Sequence, residues 1–96
     1  MKKFRFNEDK DKILKEKRGL GFKDIIKAIN KGKLIKIIDN PNKKQYLKQK
    51  IYLILIKDYV FAVPCIEEEQ YIFLKTIYPS RKYTKKYLIK IKNSTK

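Results

Sequence analysis

"KIYLILIKDYVFAVPCI", from Lys50 to Ile66, holds two runs of β-branched and aromatic residues separated only by Lys57 and Asp58. A two-residue step between such runs is the spacing of a tight hairpin, so the stretch predicts two antiparallel strands. The first run, Ile51 to Ile56, is apolar at consecutive positions. It predicts a central strand, covered on both faces or covered on one and paired with a partner on the other. The second run contains Pro64. Its missing N–H has to face an edge or a bulge near the strand end.

The same composition extends outward in "KLIKIID" before this stretch and "QYIFLKTIY" after it. The step from Glu67 to Gln70 is short enough for a second hairpin, which makes the last three strands a meander, while "NPNKKQYLKQ" is a longer polar connector. Upstream, Asn7 is a good N-cap, Glu8 and Asp9 suit the positive end of a helix dipole, and Gly19 supplies a stop. That first helix has a thin apolar face, Ile13 and Leu14. In the next segment Phe22, Ile25, Ile26 and Ile29 recur at helical spacing before Gly32. Ser80, after Pro79, is an N-cap candidate for a last helix in which Tyr83, Tyr87 and Ile91 share a side, and the tail from Lys92 has no anchor. The expected architecture is α+β: two N-terminal helices, a four-stranded antiparallel sheet and a C-terminal helix, in a single domain over residues 1–96.

Twenty-six basic residues against ten acidic ones leave a net charge of +16. A field of that sign attracts phosphate polymers or anionic lipid surfaces. The competing explanation is codon bias, since Lys, Ile, Asn and Tyr all have AT-rich codons. Histidine is absent and Cys65 is alone. Intramolecular disulfides, the usual structural zinc sets and imidazole acid–base chemistry are thereby excluded, and no metal or small-molecule cofactor is expected. The N-terminus lacks an apolar signal core and no apolar run reaches membrane-spanning length, which predicts a cytoplasmic protein without a membrane partner. Glu67, Glu68 and Glu69 read as a hairpin tip, and Cys65 as a buried, inert thiol.

The chemistry concentrates in "YPSRKYTKKYL", Tyr78 to Leu88. Arg81 is the only arginine after Arg18 in a chain otherwise charged with lysine. A guanidinium grips two phosphate oxygens where an ammonium meets one. On a helix starting near Ser80, Arg81 and Lys85 form one pair at i, i+4 and Lys82 and Lys86 another. Like charges there repel each other and the dipole, and an anion would reverse the sign of each effect. The alternative is a solvated lysine face. Lys75 interrupts an apolar strand and faces a groove or solvent. Seven tyrosines interleave with basic segments, a pattern that serves either base stacking or half-buried sheet positions.

"FRFNEDKDKILKEKRGLGFKDIIKAI" resembles the opening of BrnT-family toxins, through Phe6, Asp9, Lys10, Lys17, Arg18, Gly19 and Phe22. "IYPSRKYTKKYL" is similar to that family's closing strand-to-helix element, through Ser80, Arg81, Lys82, Lys86 and Tyr87. The chain differs from the family pattern at Arg18, where His is usual, and at Lys85, where an acidic residue is usual. The resemblance implies a RelE-like fold and a type II toxin, a ribonuclease that arrests translation and is neutralised by a ribbon-helix-helix antitoxin. For such an enzyme the substrate's own 2'-hydroxyl attacks the adjacent phosphorus, without metal. The expected roles are Arg81 on the scissile phosphate, Lys82 or Lys85 on the charge of the transition state, and Tyr83 in stacking or proton relay. Lys75 would meet a flanking phosphate, and Ser80, Lys86, Arg18 and Lys50 complete the expected RNA-binding set. A non-catalytic nucleic-acid-binding module of the same fold is the other reading, and a surface that only steers an acidic antitoxin is a third.

Overall fold

Helix and strand follow the local signals closely in the computed structural model, which describes residues 2–40 and 49–94, with side chains through Tyr87. Strand β1 is Lys3–Phe6, helix α1 is Glu8–Arg18 and helix α2 is Phe22–Asn30. Strands β2 (Leu34–Asp39), β3 (Gln49–Ile56), β4 (Tyr59–Glu67), β5 (Tyr71–Leu74) and β6 (Tyr78–Pro79) precede helix α3, Arg81–Ser94. The α+β class agrees with expectation. Among the described residues the sheet differs from it in two ways, with six strands instead of four and one parallel pairing.

β1 is the unexpected strand. It lies parallel to β5, with Phe4 opposite Ile72 and Phe6 opposite Leu74, so the sheet is mixed and ordered β1-β5-β4-β3-β2. Alternation drives it: Phe4 and Phe6 pack on the core and the Phe6 ring stacks on Phe22 at 5.3 Å, while Arg5 lies outside over the Tyr71 ring. The run expected as one last strand is divided. From Ala62 to Cys65 the chain takes three steps, while its partner takes four, from Leu74 to Tyr78, so one extra residue is accommodated. The break falls opposite Pro64. The Lys75 N–H donates to the Pro64 carbonyl at 2.9 Å, so the side of β4 on which Pro64 lacks an N–H is the side where the ladder is interrupted.

The β3–β4 hairpin closes as expected, Ile56 opposite Tyr59, with Lys57 at φ 51° and Asp58 at φ 62°. Two successive left-handed residues match the twist of a two-residue hairpin, although neither is the glycine or asparagine that adopts them most cheaply. β3 is central. Tyr52 and Ile54 join the core under α1 and α2, while Ile51 and Leu53 join a second cluster on the opposite face with Val60, Ala62, Tyr83 and Tyr87. Both faces are covered, as the unbroken apolar run requires.

α1 is capped by Asn7, whose side chain accepts from the Lys10 amide at 3.0 Å, and stopped by Gly19 at φ 70°. Ile13 is half exposed and Leu14 buried, so the thin apolar face reduces to one residue. The corner into α2 is set by two carboxylates. Buried Asp11 accepts from the Phe22 amide at 2.6 Å, and Asp24 accepts from the Gly21 amide at 2.9 Å. Gly21 is required for closeness, since a Cβ there would stand 2.5 Å from Asp11 Oδ1. The connector from Asn40, including Tyr46, and the expected role of Ile91 lie largely outside the described residues and side chains.

Candidate nucleic-acid interface

The α3 cap is built by its attachment to β4. Ser80 Oγ accepts from the Tyr83 amide at 3.2 Å, the expected N-cap. The Ser80 amide in turn donates to the Val60 carbonyl at 2.9 Å. Thr84 Oγ1 accepts from the Val60 amide at 2.8 Å and donates to the Ser80 carbonyl at 2.6 Å. Both backbone groups of Val60 thus hold the first turn of α3. Tyr83 and Tyr87 pack half-buried on the sheet, stacked at 6.1 Å, and the Lys82 and Lys86 ammonium groups each lie 5.5 Å from the adjacent tyrosine ring. This geometry gives Tyr83 a packing role. Arg81, Lys82, Lys85 and Lys86 are exposed, and no acidic residue occupies the first turn.

The expected RNA-binding residues divide between the two faces. Lys75 sits partly exposed at the break between β5 and β6. Lys50 alternates with Tyr52 and Ile54, so it emerges on the α1–α2 face, and its ammonium pairs with Asp39. The Asp39 hydrogen bond and charge, with Glu67 beyond, hold the Lys50 pKa above its ordinary value. Lys50 and Lys2 line a cleft of about 380 Å³ with Glu67, Glu68 and Glu69. Carboxylates surround Lys50, so it belongs to a charge-balanced corner and is separated from the α3 cap.

Arg18 also lies on the α1–α2 face, at the other end of β4. It lines a cleft of about 160 Å³ with Gly19, Leu20, Lys57, Tyr59 and Phe61. Next to it, sharing Gly19, Leu20, Ile56 and Lys57, is a larger cleft of about 390 Å³. Five lysines line the larger one: Lys15, Lys27, Lys31, Lys33 and Lys57. Its single carboxylate is Asp24, bonded to Lys15 Nζ at 2.9 Å. Burial pushes the Asp24 pKa up, but the Gly21 amide, Lys15 and Lys27 outweigh it and hold the group ionised below the usual range. Sequence reasoning missed this cleft, because its lysines come from α1, α2, the approach to β2 and the β3–β4 turn, and no linear motif joins them.

The remaining reactive groups are structural. Tyr52 donates its hydroxyl to Glu67 at 2.8 Å, and burial together with that bond pushes its pKa up. Burial first and Glu67 second push the Cys65 thiol up, and its Sγ donates to the Val63 carbonyl. Among the described residues no group of carboxylates and thiols has the arrangement of a metal site, and no helix is long and apolar enough to cross a membrane. Comparison with family models, with curated proteins and with solved structures finds no match for the chain.

Proposed function

We propose that the protein binds RNA through the cap of α3 and acts there as a metal-independent ribonuclease of the BrnT-like, RelE-like toxin kind. The observation that carries the reading is the exposure of Arg81, Lys82, Lys85 and Lys86 on the first two turns of a helix whose start is locked to β4 through Ser80 and Thr84. Phosphate contacts need cations held at fixed positions, and the Val60 bonds supply that fixation. The α+β class is compatible with the resemblance, although β1 precedes the two helices and joins the sheet in parallel with β5. Arg81 takes the scissile phosphate, Lys82 or Lys85 offsets the charge developed when the 2'-hydroxyl attacks, and Lys86 and Lys75 hold the flanking backbone. A short acidic ribbon-helix-helix antitoxin is the partner that would cover this charge.

The packing of Tyr83 favours a second reading, a non-catalytic RNA-binding module, because it draws the one phenol expected in proton relay onto the sheet. Incubating the purified protein with total RNA in EDTA separates the two. Cleavage that disappears in Arg81→Ala supports the ribonuclease. Intact RNA together with salt-sensitive binding supports the module, and neither cleavage nor binding removes both.

A further inference from the structure

We infer that the paired clefts between the C-terminal ends of α1 and α2 and the β3–β4 turn form a second tract for single-stranded nucleic acid, on the face opposite α3. Six cations border the two clefts: Lys15, Arg18, Lys27, Lys31, Lys33 and Lys57. The carboxylate among them, Asp24, is already bonded to Lys15 and to the Gly21 amide. Helix dipoles account for some of the cations, since Lys15 and Arg18 lie in the last turn of α1 and Lys27 in that of α2. They do not account for Lys33 and Lys57, which lie outside both helices.

Lys57 is the most informative. It occupies a left-handed turn position, φ 51°, where asparagine or glycine is less strained. Local stability would not select lysine there, and what lysine adds is a cation between the two clefts. The chemistry of the ligand follows from the rest of the lining. Tyr59 and Phe61 line the cleft beside Arg18, partly exposed, with Phe61 also packed on the core and the two rings 5.7 Å apart, so aromatic rings stand next to a guanidinium. That combination suits unpaired bases stacked above a phosphate backbone. An acidic peptide would instead need apolar sockets, and of the aliphatic lining Leu20 and Ala28 are buried, leaving only the partly exposed Leu55 and Ile56. The tract is linked to α3 across the sheet, because Tyr59 adjoins the Val60 whose backbone hydrogen-bonds Ser80 and Thr84.

The test is fluorescence anisotropy of a labelled oligouridylate on the full chain, titrated at several salt concentrations, with folding checked by circular dichroism. Lys27→Gln/Lys31→Gln/Lys33→Gln is expected to lower affinity about tenfold or more and to flatten the log–log salt slope by about 2. Tyr59→Leu keeps the bulk and is expected to weaken binding about fivefold with the slope unchanged. Lys57→Asn should raise the melting temperature while weakening binding about threefold. The same triple change is repeated in Arg81→Gln/Lys82→Gln protein. Loss from the triple variant alone supports the cleft and removes the α3 cap, whereas loss from the α3 variant alone does the reverse. A folded triple variant with unchanged affinity and slope overturns the inference, as does unchanged binding by Tyr59→Leu with displacement of the RNA by oligoglutamate.

Discussion

The two ends of β4 treat the same lysine-rich composition differently. At its C-terminal end Lys50 pairs with Asp39 and faces Glu67, and Lys2 borders the same run of glutamates. At its N-terminal end Arg18, Lys33 and Lys57 have no carboxylate within ion-pair distance among the described residues, and α3 begins its exposed basic turn against Val60. Codon bias would raise lysine at both ends alike. The difference teaches that charge is balanced by ion pairs at one end of β4 and left largely unpaired at the other, where Asp24 is the one carboxylate lining the basic clefts, the distribution that the proposed polyanion-binding surface requires.

The largest expected effect tests the corner that positions Arg18. Gly21→Ala forces Asp11 off the Phe22 amide, so urea denaturation should show a loss of about 2–3 kcal/mol. Thr84→Val, at the attachment of α3, leaves the Val60 amide without its side-chain acceptor and should cost about 1–2 kcal/mol. It should also weaken RNA binding although no cation is removed. Arg81→Lys keeps the charge and removes the two-pronged grip, and about a fivefold loss in RNA affinity is expected. Unchanged affinity would make Arg81 one more point charge. The smallest change is a gain: Asp58→Gly relieves a left-handed residue and should add up to about 1 kcal/mol of stability.

Much of this was legible in the residues. Asn7, Gly19 and Ser80 mark helix ends through chemistry confined to a few neighbours, and the hairpin at Lys57 and Asp58 follows from spacing alone. Pro64 announced an interruption because a missing N–H is a property of one residue. β1 was missed because its pairing with β5 joins opposite ends of the chain, and Lys3 and Arg5 mask the alternation of Phe4 and Phe6. "QYIFLKTIY" reads as one strand because hydropathy does not register a slip of one residue against β4. In the sequence Lys50 reads as one more RNA-binding cation, because its partner, Asp39, meets it only across the β2–β3 pairing. The basic clefts were invisible for the same reason, since folding alone assembles their walls.

The central claim is that location, and not net charge, decides RNA binding. Two variants that each remove two charges test it: Arg81→Gln/Lys82→Gln at the α3 cap and Lys2→Gln/Lys50→Gln at the balanced corner, measured against one labelled single-stranded RNA across a salt series. The first should lose about tenfold in affinity and about 1.4 in salt slope, and the second should match the parent protein within about twofold. Equal losses from the two would contradict the claim and leave a diffuse positive field as the whole explanation.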